Sequence, residues 1–168
     1  MSQPSDPLPT YYIPHGGGPC FFMEWPYPTP NPWTGLERWL RELPSTLPRA
    51  PRAVVVISGH WEEAPLAVNV QAHPPLFFDY YGFPEHTYHL TYPAPGAPQL
   101  AAEIQERLVA AGVPCRSESR RGLDHGVFVP FKVIYPQADV PVVQLSLLRG
   151  LDPAQHLKIG AALTPLRA

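Results

Sequence analysis

Apolar residues along this chain fall into short runs that are separated by long, proline-rich stretches. The run Ala53–Ser58 is β-branched and unbroken, which is typical of a strand buried in a parallel sheet. Pro141–Leu147 has the same character, whereas Leu66–Gln71 alternates in part and predicts a strand near a sheet edge. The shorter segments Thr10–Pro14 and Pro114–Ser117 predict two further strands.

Helical spacing of apolar residues is found between these runs. A helix is predicted to begin at Thr34, where Glu37 stands in the spacing of a capping box, and to end before Pro44. Pro98–Ala111 predicts a second helix, because proline is favoured in the first turn and Gly112 follows its last residue. Strands and helices therefore alternate along the chain.

Two more helices are predicted toward the end of the chain. Phe128–Tyr135 predicts a short one despite Pro130, and Asp152 is placed to cap the last one. Since no linker or internal repeat divides the chain, residues 1–168 are predicted to form a single domain. The expected fold class is α/β, a three-layer sandwich in which a mostly parallel central sheet carries helices on both faces.

Composition narrows the class of protein. Hydrophobic residues make up 45% and charged residues 15% of the chain, which describes a globular protein with a dry interior. A net charge of −2 provides no basic surface, so neither nucleic acid nor a membrane is an expected partner. No apolar stretch approaches the roughly 20 residues of a membrane span. We expect a cytoplasmic protein in which Cys20 and Cys115 remain free thiols.

Two histidines stand where an apolar run meets a glycine. His15 follows a short apolar segment and precedes Gly16, and His60 follows Gly59 just past the first buried strand. In open α/β sheets functional groups gather beyond the carboxyl ends of the strands, and glycine lets the backbone turn there. We expect the two imidazoles to meet within about 4 Å and bind one ion, since metal–nitrogen bonds measure about 2.0–2.1 Å.

The segment Ala72–Pro95 is too long for an ordinary connection and is dense in aromatic residues. Two interpretations stay open. The segment is either a folded cover that packs on its own rings, or a wall of a pocket for an aromatic substrate. In the second case we expect Tyr80, Tyr81 and Phe83 to line the same cavity as the two histidines.

Six short motifs occur in order along nearly the whole chain. They are Pro14-His15-Gly16, Ser58-Gly59-His60-Trp61, Tyr81-Gly82-Phe83-Pro84, Tyr92-Pro93-Ala94-Pro95-Gly96, Gly122-Leu123-Asp124-His125-Gly126, and Tyr135-Pro136 followed by Pro141 to Ser146. Together they resemble the class III extradiol ring-cleavage dioxygenases, in particular the branch similar to the 4,5-DOPA dioxygenases of bacteria and plants. The fold of that family, an α/β sandwich around a largely parallel sheet, agrees with the order of elements above.

The resemblance implies roles for individual residues. His15 and His60 correspond to metal ligands, and His125 to a catalytic histidine near the metal that touches substrate or bound oxygen. Asp124 stands beside His125 and is expected to orient it. The residues expected to contact the substrate are Trp61, Tyr81, Phe83 and Asp124.

The resemblance also implies the reaction, which is cleavage of a catechol-type, DOPA-like ring with O₂ at a non-haem Fe(II) site. Zn(II) binds to the same imidazoles but has no redox chemistry. A zinc-loaded protein would therefore be an inactive substitute, or a hydrolase in which Glu62 activates water. A further alternative is a metal-poor binding protein on the same scaffold, although the presence of both His15 and His60 favours the dioxygenase.

The resemblance places a further metal ligand and a base histidine in the final third of the family's chain, which would follow Ala168. We therefore expect a domain truncated at its C-terminus, and little ring-cleaving activity from the 168 residues alone. A missing strand would also leave a sheet edge exposed, which predicts self-association through that edge.

Overall fold

One mixed sheet of four strands organises the computed structural model, which describes residues 6–168. The strands are β1 (Val54–Glu63), β2 (Leu66–Asn69), β3 (Cys115–Glu118) and β4 (Val142–Leu148). Across the sheet their order is β1-β4-β2-β3. β1 pairs with β4 and β2 with β3 in parallel, while β2 and β4 run antiparallel. The predicted α/β fold with a mostly parallel sheet is confirmed.

Helices cover both faces of this sheet, as predicted. They are α1 (Thr34–Glu42), α2 (Pro98–Ala110), α3 (His125–Ile134) and α4 (Pro153–Leu163). Val142 of β4 packs with residues of α1 and α3, whereas the next residue, Val143, packs with residues of α2 and α4. Because successive side chains of a strand point to opposite faces, β4 separates two cores and the molecule has three layers.

Three of the predicted strands differ from those observed. Thr10–Pro14 lies outside the sheet, since Pro14 has no N–H to donate to a neighbouring strand. β1 continues past Ser58 to Glu63, because its pairing with β4 resumes at Glu62 after a register irregularity. β2 lies inside the sheet rather than near its edge, and all of its residues are buried.

The helix predictions agree with the structure more closely than the strand predictions do, because prolines and capping residues mark the ends of helices. α2 agrees with the prediction, and Asp152 caps α4 by accepting from the backbone N–H of Gln155 at 2.8 Å. α1 also begins where predicted, but the capping box is wrong. Its N-cap residue is Trp33, and the side chain of Glu37 forms an ion pair with Arg41 one turn later.

The long segment 72–95 is an ordered cover over the α3 side of the sheet. A single 3-10 helix, Glu85–His89, is formed within it. The hydroxyl of Tyr80 donates to the carbonyl of Thr87 at 2.7 Å and closes the segment on itself. Rings of this segment also pack against Phe128 of α3. The rings in this cluster are Phe78, Tyr80, Phe83 and Tyr88.

Two expectations from composition have structural counterparts. Cys20 and Cys115 are free thiols, and burial raises the pKa of both, that of Cys115 to about 11. Both thiols are therefore protonated and unreactive at neutral pH. Across residues 6–168, no helix has both the length and the apolar character needed to cross a bilayer.

Candidate metal centre

Three histidine side chains from separate parts of the chain meet at one point. The Nε2 atoms of His15 and His60 lie 3.0 Å apart, inside the 4 Å that we expected. One ring nitrogen from each of His15, His60 and His125 lies within 4.8 Å of the others. Among residues 6–168 this is the one group of three or more His, Cys, Asp or Glu side chains spaced to hold an ion.

The ring of His15 is oriented by the residue that follows it. Its Nδ1 donates to the carbonyl of Gly16 at 2.8 Å, which keeps the proton on Nδ1 and leaves Nε2 free. A side chain at Gly16 would not fit, since a Cβ would lie 2.8 Å from Cys20 and 2.9 Å from the Trp33 ring. Glycine thus allows the tight loop that carries His15.

His60 lies within β1 and not in a turn after it, which corrects the prediction. The pairing of β1 with β4 is irregular between Ile57 and Glu62, and such irregularities change where side chains point. Burial, together with the imidazoles of His125 and His15, lowers the pKa of His60 below its ordinary value. The ring is therefore neutral at neutral pH, as a metal ligand must be.

The ring of His60 packs directly on the first turn of α3. A Cβ on Gly126 would lie 2.7 Å from Cδ2 of His60 and 2.9 Å from Oγ of Ser58. The same Ser58 hydroxyl accepts from the backbone N–H of His60 at 3.2 Å. The absence of a side chain at position 126 lets α3 come close enough to place His125 beside His60.

His125 is the first residue of α3, so the helix begins three residues before the predicted Phe128. Asp79, in segment 72–95, accepts from it twice: Oδ1 lies 3.0 Å from the backbone nitrogen and 2.7 Å from Nδ1. Burial opposes the charge on Asp79, but the hydrogen bonds from the His125 ring and backbone outweigh it and lower the pKa of Asp79. Both bonds therefore go to a charged carboxylate, which strengthens them.

Asp124 does not orient His125, which corrects the expectation from the sequence. Its side chain is fully buried and accepts from Ser58 Oγ at 2.7 Å, from Gln144 Nε2, and from Arg121 Nη2 at 3.2 Å. Arg121 also donates to the carbonyl of His60 at 3.2 Å. The buried carboxylate of Asp124 thus supports the backbone around His60 and has no surface for a substrate.

The aromatic residues expected to line a pocket take different positions. The ring of Phe83 packs on Gly18 in the His15 loop, where an added Cβ would come within 2.6 Å of it. Tyr81 is 90% exposed and points to solvent instead. Its neighbour Tyr80 is the tyrosine beside the site, with its ring centroid 5.8 Å from that of His125. Segment 72–95 is therefore both a cover and a neighbour of the histidines.

Trp61 is buried against Arg121, and its burial does not favour the expected contact with a substrate. It is only 3% exposed, and its indole N–H donates to Glu63 at 3.0 Å. The Arg121 guanidinium lies over its ring at 5.1 Å.

Other candidate side chains are not part of the cluster. Glu62, which a zinc hydrolase would need, is exposed and outside the group of three histidines. His89 forms an exposed pair with Glu85. Asp79 is the site neighbour that sequence reasoning missed, and the one available signal was an acidic residue within an aromatic run.

The donor set fits a divalent first-row metal ion. A separation of 3.0 Å between the Nε2 atoms of His15 and His60 suits two ligands in adjacent positions, because each metal–nitrogen bond measures about 2.0–2.1 Å. Imidazole nitrogen binds iron and zinc alike. The geometry of these residues therefore supports a metal centre for either ion.

Comparisons with known proteins match this chain over most of its length. The family model for the catalytic LigB subunit of aromatic ring-opening dioxygenases matches residues 9–168. Dioxygenase tasH of Hapsidospora irregularis is 40% identical over 166 residues, which are 95% of this chain and 50% of that protein. The 4,5-DOPA dioxygenase extradiol of Beta vulgaris is 40% identical over 159 residues, which are 94% of this chain and 57% of that protein.

A solved structure agrees with these sequence matches. The crystal structure of an uncharacterized protein from Escherichia coli K12 has a TM-score of 0.62 and 35% identity, covering 79% of this chain and 48% of that chain. The present chain spans about half the length of the curated relatives it matches. The resemblance that the six motifs indicated is confirmed. The chain belongs to the family of catalytic LigB subunits of aromatic ring-opening dioxygenases.

Proposed function

We propose that this chain provides the metal-binding part of an extradiol dioxygenase that opens catechol-type, DOPA-like rings with O₂. The observation that supports this most directly is the convergence of three imidazole nitrogens within 4.8 Å in a chain of the LigB family. The substrate class is supported by relatives named 4,5-DOPA dioxygenase extradiol in Beta vulgaris and Escherichia coli.

In this proposal His15 and His60 hold a non-haem ion, with Fe(II) as the active form. The bound ion supplies a redox path between an aromatic ring and O₂, which Zn(II) does not. The hydrogen bond from His15 Nδ1 to the Gly16 carbonyl keeps Nε2 available as the ligand atom. The hydrogen bonds of Ser58 and Arg121 to the His60 backbone hold the second ligand in place.

His125 has the substrate-facing role in this proposal. Its Nδ1 donates to Asp79, so Nε2 is the nitrogen left to accept a hydrogen bond from a catechol hydroxyl. Tyr80 and Phe83 provide apolar ring edges near the histidines, as a pocket for an aromatic ring requires. Because Trp61 and Asp124 are buried and Tyr81 is 90% exposed, the proposal assigns none of these three a contact with the substrate.

The proposal is tested first by metal content. The chain is loaded anaerobically with Fe(II), desalted, and assayed for bound iron. We expect about one ion per chain, a large loss of metal in His15→Ala and in His60→Ala, and no loss in His89→Ala, whose ring is exposed and pairs only with Glu85. Unchanged iron in both cluster variants would refute the site.

Ring opening is then measured on the same samples. We expect the Fe(II)-loaded chain to form a semialdehyde from a DOPA-type catechol only slowly, in line with the low activity expected of these 168 residues, but faster than either cluster variant. The Zn(II)-loaded chain should form none. Zinc-dependent ester hydrolysis that is lost in Glu62→Gln would favour the hydrolase instead. Absence of metal binding in the wild-type chain would favour a binding protein on this scaffold.

A further inference from the structure

One carboxylate oxygen of Asp79 contacts both donors of a single residue. Oδ1 lies 2.7 Å from the ring Nδ1 of His125 and 3.0 Å from its backbone nitrogen. Asp79 stands 46 positions earlier in the chain, in a segment that packs over α3, so this contact depends on the tertiary fold. The side chains are only 14% and 10% exposed, which shields the bond from competing water.

This contact determines which ring nitrogen carries the proton. An ionised carboxylate only accepts hydrogen bonds, so Nδ1 of His125 must be the donor. A neutral imidazole has one N–H, and its other nitrogen then has a free lone pair. In His125 that nitrogen is Nε2. The partner of one ring nitrogen thus fixes the chemistry of the other.

The orientation of the His125 ring is constrained by its neighbours as well. The ring of His60 lies at 4.1 Å between centroids with an interplanar angle of 35°. His15 and Tyr80 approach it edge-on, at 5.0 Å and 5.8 Å. A ring packed in this way cannot rotate to exchange its two nitrogens without displacing a neighbour.

We propose that Asp79 is a positioning residue, which holds His125 in the Nδ1–H form so that Nε2 is the hydrogen-bond acceptor that meets the substrate. The proposal rests on the proposed function for its substrate, a catechol-type ring. It assigns to Asp79 the role that the sequence suggested for Asp124, whose oxygens are already occupied by Ser58, Gln144 and Arg121.

The decisive measurement is the tautomer of His125, read from the two ring ¹⁵N shifts in long-range ¹H–¹⁵N spectra. In the wild-type chain we expect a protonated Nδ1 and an unprotonated Nε2. In Asp79→Asn the negative charge is lost and the amide can present either its oxygen or its NH₂ to the ring, so we expect the preference for Nδ1–H to weaken and the two tautomers to mix. The matched control is Glu85→Gln, which removes the carboxylate partner of His89 in the same segment and should leave the His125 signals unchanged.

Activity provides a second and separable test. With Fe(II) bound, Asp79→Asn should lower kcat for ring opening by about 10- to 100-fold with little change in KM, because the residue orients His125 and does not bind substrate. A wild-type ring in the Nε2–H form overturns the proposal whether or not the variant folds. An Nδ1–H ring that becomes mixed in Asp79→Asn, in a protein that binds no iron and opens no catechol, supports the positioning role and refutes the proposed function.

Discussion

His15 and His60 meet nitrogen to nitrogen, with their Nε2 atoms 3.0 Å apart although the residues are 45 positions apart in the chain. The Gly16 carbonyl keeps the proton of His15 on Nδ1, so Nε2 of a neutral His15 accepts from His60. An ion bound by both nitrogens would replace this hydrogen bond, and the neutral His60 ring would then carry its one proton on Nδ1 instead of Nε2. The elements that bring these rings together therefore belong to the candidate metal centre.

Gly126 is the first such element, and Gly126→Ala should displace the His60 ring. The new Cβ would lie 2.7 Å from Cδ2 of His60 and 2.9 Å from Oγ of Ser58, and both distances are shorter than a Cβ normally keeps from other heavy atoms. We expect a destabilisation of about 1–3 kcal/mol from overpacking, together with weaker Fe(II) binding. Urea unfolding and an iron titration measure the two effects.

The control for this substitution is Gly160→Ala, which lies inside α4 and has no atom within 4 Å of the added methyl group. Alanine is the better helix former, so this variant should gain about 0.5–1 kcal/mol and bind iron normally. An unchanged iron affinity in Gly126→Ala would show that the His60 ring is not held by α3.

The buried charge of Asp124 is the second element. Ser58, Gln144 and Arg121 each donate a hydrogen bond to the Asp124 carboxylate. Asp124→Asn replaces one of the two accepting oxygens with an NH₂ group, which can only donate. Arg121, whose side chain is only 20% exposed, then loses its charged partner. Breaking a buried ion pair in this way costs about 3–5 kcal/mol, measured as the free energy of unfolding.

Asp139→Asn is the matched control, because Asp139 is exposed. We expect it to change the free energy of unfolding by less than about 0.5 kcal/mol. Equal stability of the two variants would mean that a neutral amide can replace the Asp124 carboxylate. The His60 carbonyl and the rings of Trp61 and Phe77 would then be sufficient partners for Arg121.

Local signals in the sequence predicted the fold well where they were strong. Proline and glycine mark the ends of α2. Asp152 is a residue type that commonly caps helices, and it directly precedes α4. The continuation of β1 to Glu63 was not visible, because it depends on pairing with β4 after a register irregularity. The interior position of β2 likewise follows from the order of the strands and not from its own residues.

The candidate site was likewise predictable only where a residue carries a local sequence signal. His15 and His60 stand out by their local context, and His125 by a motif shared with a family. Asp79 has no such signal, since its role depends on a fold that brings segment 72–95 against α3. Of the two tyrosines predicted near the site, Tyr80 lies beside His125 and Tyr81 is exposed, because residue type alone does not determine which of two neighbours points inward.

The outer edge of β1 supports a prediction about association. Within residues 6–168, β1 pairs only with β4, and Ile57 is 46% exposed. An open strand edge presents unpaired N–H and C=O groups to other chains. We expect concentration-dependent self-association by sedimentation velocity, reduced in Ile57→Lys. Leu157→Lys, on the exposed face of α4, should leave it unchanged; equal effects of both substitutions would indicate nonspecific hydrophobic contact.

Glu118 on β3 should make the stability of the fold depend on acidic pH. Its hydrogen bond from Arg116 at 2.8 Å, with further bonds from the backbone N–H groups of Arg120 and Arg121, lowers its pKa to about 2 from an ordinary value of 4.5. Because the folded-state pKa is the lower one, the ionised carboxylate stabilises the fold fully above pH 4.5, and this contribution is lost as the pH falls toward 2.

The comparison of wild type with Glu118→Gln isolates this contribution. The variant should be less stable than wild type at pH 7, and the difference between their free energies of unfolding should shrink between pH 4.5 and pH 2. One proton taken up on unfolding corresponds to a slope of at most about 1.4 kcal/mol per pH unit. Urea unfolding at a series of pH values measures both curves. Parallel curves over this range would show that the Arg116 bond to Glu118 does not persist in solution.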